Sequence, residues 1–231
     1  MILSLGNGKL EKTVCLLAGI KAKTAMDCCF DRTGFPYVEL EDPALAVSLL
    51  PLTKLQFEVY LADLTPQGDK WYDEVLALNP RVSPQRFTSE QRERLFLTGL
   101  LAAEAQDFAA WLGDGYRLPT VAEWRAIYRC FQSTEFTPFA ASSTPDGKAT
   151  ALLRRLEQQT RPQTLLDFSL MRGGLVEWVL DGNTWTGLGK PRSSFQPNLW
   201  DPLRETVPPV RLSQCVFFFG VRLVRDIAKI P

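Results

Sequence analysis

One eight-residue block constrains the fold of this chain more than any other part of the sequence. It reads R-L-P-T-V-A-E-W and spans Arg117–Trp124. Thr120 and Glu123 have the spacing of an N-cap and the third residue of a helix, so each side chain can accept the backbone N–H of the other. Pro119 fixes the approach of the chain, and Trp124 supplies a large apolar anchor. The block predicts a helix that begins after Thr120.

Further helices and strands are predicted by similar local signals. A second capping box, Thr53–Gln56, predicts a helix from residue 54. Residues 102–112 carry apolar side chains at helical spacing, and the glycines that follow would end the helix. Residues 182–212 are predicted as coil. Strand patterns lie at 37–41, 175–180, 193–196 and 216–224. The expected fold class is therefore α+β.

Composition suggests one main domain with two atypical stretches. Residues 1–40 are interpreted as an atypical N-terminal segment that packs on a domain spanning residues 41–231. The polar stretch 131–163, rich in Ser, Thr and Gln, is interpreted as an insertion with its own short helix at 150–158. A chain of 231 residues is long enough to bury a sizeable core.

Four sequence blocks and a final strand match, in the same order, the motifs of one known family. They are 51–57 (P-L-T-K-L-Q-F), Ala105–Leu112, Arg117–Trp124, Met171–Val179 (M-R-G-G-L-V-E-W-V) and Phe219–Val224. The chain thereby resembles the formylglycine-generating-enzyme (sulfatase-modifying factor) family over about residues 45–226. The third block, close to the family's R-L-P-T-E-A-E-W, is the most specific. The resemblance implies the C-type-lectin-like fold, with two helices on small twisted sheets and extensive coil.

The residues that carry out this family's chemistry have no counterpart in the sequence. Active members oxidise a substrate cysteine with copper held by a cysteine pair, and another branch binds non-haem iron through histidines. This chain has no histidine, and the corresponding stretch from 187 to 195 contains no cysteine. Its cysteines are Cys15, Cys28, Cys29, Cys130 and Cys215. Cys215 stands alone before the last strand, and one thiolate cannot form a two-sulfur copper site. No catalytic residues are therefore expected, and the protein is interpreted as a degenerate, non-enzymatic member.

Calcium is the cofactor for which the resemblance leaves candidate ligands. The family's calcium sites use the Asn of G-N-V-W-E-W, backbone carbonyls and nearby carboxylates. Here Gly174 replaces that Asn and Val176 replaces the first Trp, while Glu177 and Asp181 remain. Oxygen ligands suit calcium. A weakened site is expected rather than an intact one, and no other cofactor is predicted.

The stretch 181–214 is the expected binding surface, because Trp and Arg on loops are typical of binding hot spots. The candidate contacts are Trp185, Arg192, Phe195, Asn198, Trp200, Arg204 and Arg211. In the alternative interpretation, the aromatic side chains hold a long coil against the core. The family also includes the variable display proteins of diversity-generating retroelements, although this stretch lacks the Asn- and Tyr-dense pattern expected of them.

Two function classes follow. The first is a non-catalytic module that binds a protein or another macromolecular ligand. It would act as a display protein or as a scaffold subunit of a prokaryotic assembly, with 1–35 and 131–163 as docking surfaces. The alternative is an enzyme of the same superfamily with an unidentified, non-copper active site. Basic and acidic residues number 26 each, which disfavours a nucleic-acid partner. The chain lacks an apolar run of about 20 residues and a leader pattern, so a cytoplasmic protein without membrane contact is expected.

Overall fold

The computed structural model contains most of the predicted helices and strands. It describes residues 29–64, 96–138, 153–154, 156–158, 160–172, 175–189, 201–207 and 219–227. The strand predicted at 193–196 and much of the predicted coil lie outside the described residues. So do residues 1–28 of the N-terminal segment.

The helices begin where the sequence places their caps. They are α1 Lys54–Asp63, α2 Ala102–Leu112, α3 Val121–Ser133 and α4 Leu165–Phe168. A threonine caps α1, α3 and α4, with a Gln, Glu or Asp three residues later that completes each capping box. At α2, the Glu104 carboxylate accepts the Leu101 N–H at 2.7 Å. The helices predicted after Thr53 and Thr120 and at 102–112 are confirmed. Within the described residues, no helix has the length and apolar character needed to span a membrane.

The cap of α3 is reinforced by an ion pair. Thr120 Oγ1 accepts the Glu123 N–H at 3.2 Å, and Glu123 Oε2 accepts the Thr120 N–H at 2.8 Å. Arg117 donates to both Glu123 carboxylate oxygens, at 2.9 and 2.8 Å, and to Asp226 at 2.8 Å. Burial acts to raise the pKa of Glu123, but the hydrogen bonds from Arg117 and Thr120 outweigh it, so the pKa is lowered. The helix start is therefore tied to the C-terminal part of the chain.

Removing the cap hydroxyl should destabilise the protein moderately. We expect Thr120→Ala to lower the free energy of unfolding by about 1 kcal/mol, because the Glu123 N–H loses its acceptor. Urea denaturation followed by tryptophan fluorescence measures the change. Thr120→Ser keeps the hydroxyl and should remain close to the parent. Equal midpoints for all three proteins would contradict the role of this cap.

The strands of the described residues form two sheets. They are β1 Cys29–Phe30, β2 Pro36–Leu40, β3 Leu45–Ser48, β4 Val176–Asp181, β5 Thr184–Gly189, β6 Phe219–Gly220 and β7 Val224–Asp226. The first sheet has the order β1-β2-β3-β7 and is antiparallel throughout. The predicted strand at 37–41 is β2, shifted by one residue. Because β1 and β2 share a sheet with β7, the boundary predicted at residue 40 falls inside this sheet.

The second sheet has the order β5-β4-β6, with β5 antiparallel and β6 parallel to β4. The coil prediction for 182–212 is wrong for Thr184–Gly189, which forms β5 along the full length of β4. This strand was not predicted because it contains two glycines, Gly187 and Gly189, and glycine has poor strand propensity. Gly187 occurs there for a packing reason, since a Cβ would collide with the side chains of Phe219 and Val176.

The strand predicted at 216–224 is interrupted in the middle. Leu52 N–H donates to Val221 O at 2.6 Å, and Ser48 N–H donates to Leu223 O at 2.9 Å. Between β6 and β7 the backbone therefore forms hydrogen bonds with residues at and just after the end of β3. The pairing of β6 with β4 does not continue through this segment. It passes from the second sheet to the first, and Arg222 is fully buried at this crossing.

The buried apolar side chains form two clusters. The first lies between the first sheet, α3 and α4 and contains Trp124, and the second joins α1, α2 and β6 and contains Trp178. Leu153 and Leu156, within the predicted insertion, are buried in the first cluster. The described residues of the helix predicted at 150–158 are indeed helical. This part of the stretch 131–163 is a component of the core rather than a surface addition.

Candidate binding surface

The carboxylate of the Glu-Trp motif is held in a buried ion pair. Glu177 on β4 is 1% exposed and Arg222 is 0% exposed. Arg222 Nε donates to Glu177 Oε2 at 2.9 Å, and Nη2 donates to Oε1 at 2.7 Å. Trp124 Nε1 donates to the same Oε2 at 2.7 Å. The pair is bidentate, the strongest geometry available to these groups.

The remaining N–H groups of the Arg222 guanidinium also have hydrogen-bond acceptors. Nη1 donates to the carbonyls of Ser48 and Leu49, each at 2.8 Å, and Nη2 donates to the Ser169 carbonyl at 2.7 Å. A buried guanidinium with partners for its five N–H groups avoids most of the cost of leaving charge unpaired in the core. The network ties together β3, α3, the residue after α4, and β4, which is a structural role.

The two calcium candidates are not brought to one site. Glu177 is buried and occupied by Arg222 and Trp124, whereas Asp181 is exposed at the end of β4. Four residues along a strand span about 13 Å, whereas calcium needs each ligand oxygen within about 2.6 Å. Among the described residues, no three Cys, Asp or Glu side chains are grouped to hold a metal ion.

The β4–β5 hairpin provides the first part of the candidate surface. Asp181, Gly182, Asn183 and Thr184 are exposed at its tip, where Gly182 has a φ of 58° that favours glycine. Trp185 follows on β5 and is half-buried against the second hydrophobic cluster. For Trp185 the structure therefore favours the interpretation that the aromatic ring holds its strand against the core.

The segment from Asp201 to Val207 lies beside this hairpin. Gly187 and Val207 exchange backbone hydrogen bonds of 2.9 and 2.7 Å, and Thr186 Oγ1 donates to Val207 O at 3.1 Å. At its other end, Arg125 Nε from α3 donates to the Pro202 carbonyl at 3.3 Å. The segment is thus attached to the framework at both ends, by β5 and by α3.

Arg204 is the predicted contact that the structure leaves most accessible. Its side chain is 86% exposed and pairs with Asp201 at 3.4 Å. An ion pair this exposed contributes little to stability. The structure places Trp185 and Arg204 on neighbouring segments, one partly in the core and one in solvent. Arg192, Phe195, Asn198, Trp200 and Arg211 lie outside the described residues.

Sequence reasoning missed three side chains on or near α3: Arg125, which contacts the 201–207 segment, Tyr128 and Arg172. Tyr128 stacks on Trp124 with ring centres 5.4 Å apart and is half-buried. Burial raises the pKa of Tyr128, the charge of Arg172 opposes this, and the charges of Asp201 and Asp167 add to it. Tyr128 therefore lies within electrostatic range of residues from α4, the 201–207 segment and position 172. The sequence could have indicated Arg125 and Tyr128, because helical spacing places both beside the predicted core residue Trp124, at the edge of the buried face of α3.

Comparison with known proteins gives one family. A family model described as "Sulfatase-modifying factor enzyme 1-like domain" (FGE-sulfatase) matches residues 6–194. The match includes the helices α1 to α3 and the β4–β5 hairpin. In a separate comparison, no curated protein matches the chain.

Proposed function

This chain belongs to the sulfatase-modifying factor enzyme 1-like family, and we propose that within it the protein is a non-catalytic ligand- or protein-binding module. The observation that carries the proposal is the absence of histidine and of a cysteine pair in the stretch 187–195. Without these side chains the chain lacks the ligands for the copper or iron chemistry implied by the resemblance. Fold membership alone does not supply an activity.

The geometry around Glu177 supports this proposal. The motif residues Trp124, Glu177 and Arg222 come from three separate sequence blocks and meet in one buried network. Their contacts are with each other and with backbone carbonyls, so they serve packing and cohesion. Selection for the framework alone can therefore retain the motifs that identify the family.

The proposed binding surface comprises the β4–β5 hairpin and the 201–207 segment. A rigid framework that presents loops and exposed Arg side chains is suited to recognising a macromolecule. Arg204, 86% exposed, is the more accessible of the two candidate contacts that the structure describes, and Trp185 packs its strand against the core. The other candidate contacts, Arg192, Phe195, Asn198, Trp200 and Arg211, remain part of the proposal. The partner is a protein or another macromolecular ligand, bound by a display protein or scaffold subunit.

A direct assay for the family's chemistry tests the proposal. We expect no conversion of cysteine to formylglycine in a sulfatase-type peptide incubated with the protein, copper and a reductant. The physical reason is that the chain offers no pair of thiolates to hold copper in the corresponding stretch. The readout is aldehyde, measured by hydrazide labelling and by mass spectrometry of the peptide.

The controls for this assay are a reaction without protein and one with a competent family enzyme. Metal analysis of the protein purified without chelators accompanies it. Aldehyde above the protein-free level would overturn the non-catalytic assignment. Stoichiometric copper or iron in the purified protein would instead favour the alternative, an enzyme of the same superfamily with a different active site.

A further inference from the structure

Two arginines on α3 have no acidic partner among the described residues. Arg125 and Arg129 are one helical turn apart and therefore neighbours on the helix surface. Arg129 is exposed and Arg125 is half-buried. Arg125 donates to the Pro202 carbonyl, a neutral acceptor. Within the described part of the chain, neither guanidinium makes an ion pair.

Two further arginines beside this helix are only weakly paired. Arg172 is 59% exposed and lies 3.1 Å from Asp167, and the largely exposed Arg204 lies 3.4 Å from Asp201. Exposed pairs of this kind contribute about 0–1 kcal/mol, so either arginine can turn to an incoming carboxylate at little cost. The charge of Arg172 acts on the Tyr128 phenol, and so does the charge of Asp201, the residue with which Arg204 pairs.

We propose that the arginine–tyrosine patch, formed by Arg125, Tyr128, Arg129, Arg172 and Arg204, binds an acidic peptide segment of a partner protein. The inference rests on the proposed function and names the class of partner. Guanidinium groups match carboxylates in bidentate geometry, and a half-buried Tyr ring beside them supplies apolar contact area. Arg and Tyr are both enriched in protein–protein interfaces.

The distribution of charge favours a peptide over a nucleic acid. Asp167, Asp201 and the exposed Glu205 lie among the arginines and would repel a continuous line of phosphates. A peptide can place its acidic residues opposite Arg125 and Arg129 and leave polar residues opposite these carboxylates. The uniform backbone charge of a nucleic acid has no such freedom.

Fluorescence anisotropy of a labelled peptide of alternating Glu and Tyr tests the assignment on the full chain. We expect saturable binding at low salt that weakens as salt is added, and no binding of the matched peptide with Gln in place of Glu. Arg129→Gln should weaken binding roughly threefold, and Arg125→Gln combined with Arg129→Gln roughly tenfold. Arg204→Gln should weaken it roughly twofold to threefold. Arg129 makes no hydrogen bond or ion pair within the described residues, so its variant should melt with the parent.

The matched control is Arg32→Gln, which removes the same charge beside α1 and α2, where Arg32 contacts Asp63 and Trp111. It should change affinity less than about twofold, as expected for a distant charge. An equal loss in Arg32→Gln, or no effect of the α3 substitutions, would overturn the patch. Equal binding of oligothymidylate would overturn the peptide assignment. A lack of saturable peptide binding would also overturn the peptide assignment, but together with a negative aldehyde assay it would leave the proposed non-catalytic function intact. Aldehyde formation would overturn the non-catalytic function, regardless of the result of the peptide-binding experiment.

Discussion

Replacing Arg222 by methionine should lower the free energy of unfolding by about 3–5 kcal/mol, the cost of leaving one member of a buried ion pair alone. The Glu177 carboxylate, 1% exposed, would lose its cationic partner and two of its three hydrogen bonds. The carbonyls of Ser48, Leu49 and Ser169 would lose a donor at the same time. Since a typical domain is stable by about 5–15 kcal/mol, such a change should leave little folded protein at moderate urea concentrations.

Arg225→Met is the comparison variant, because Arg225 lies three residues further on and its contact with Glu39 is 3.6 Å and partly exposed. Arg225 also donates to the Tyr37 hydroxyl at 2.9 Å and lies over the Tyr37 ring. Its replacement should cost about 1–2 kcal/mol, less than Arg222→Met. Combining Arg222→Met with Glu177→Met should recover part of the loss, since both charges then leave the core together. If the two single arginine variants have the same urea midpoint, the buried pair does not have the structural role described above.

Replacing Trp124 by alanine should lower the free energy of unfolding by about 3–5 kcal/mol. Its ring is fully buried in the first hydrophobic cluster, stacks on Tyr128, and donates to Glu177 at 2.7 Å. The loss has two parts, a cavity and the removal of one of the two hydrogen bonds that Glu177 Oε2 accepts. Trp124→Phe separates them, because it keeps a ring but removes the donor, and should cost about 1–3 kcal/mol.

Trp111→Phe is the control for the second part, since Trp111 Nε1 also donates to a carboxylate, Asp63, at 3.0 Å in an exposed setting. That variant should lose about 0.5 kcal/mol or less, because water can replace an exposed hydrogen bond. Chemical denaturation of the four proteins at one pH measures the differences. If Trp124→Phe and Trp111→Phe lose the same free energy of unfolding, the buried hydrogen bond to Glu177 contributes no more to stability than the exposed one to Asp63.

Both large effects converge on one network, which explains why the family is recognisable in this chain. The R-L-P-T block supplies Trp124, the Glu-Trp block supplies Glu177, and the last block supplies Arg222. Each block was identified from sequence, and each turns out to contribute a side chain to the same buried site. A pattern of this kind reports the framework and carries no information on whether a reaction is retained.

The helices could be predicted because their signals are local. Thr53 with Gln56 and Thr120 with Glu123 form boxes within three residues, and the structure starts α1 and α3 at those caps. Such hydrogen bonds form between near neighbours in sequence whatever surrounds them. The strand β2 was predicted for a similar reason, since its alternating pattern separates a buried face from a polar one.

Strand β5 and the neighbouring 201–207 segment could not be predicted in this way. The glycines of β5 have poor strand propensity, and what makes the strand is its pairing with β4 and the space that Phe219 and Val176 require around Gly187. The insertion was misjudged for a related reason, because its polar composition hides Leu153 and Leu156, which are buried in the first cluster. Burial depends on partners elsewhere in the chain.

The sequence by itself determined the family, the α+β class, the starts of the main helices, and the absence of histidine and of a cysteine pair at 187–195. Tertiary structure alone decided that Arg222 pairs with Glu177 across 45 residues and that Trp124 reaches the same carboxylate across 53. It also decided that Arg125 contacts the segment that carries Arg204 and that the charges of Arg172 and Asp201 act on Tyr128. The physical reason is the separation in sequence between the residues that interact. Caps and periodicity are set by neighbours three or four residues away, whereas ion pairs and surfaces depend on which distant segments the packed core brings together.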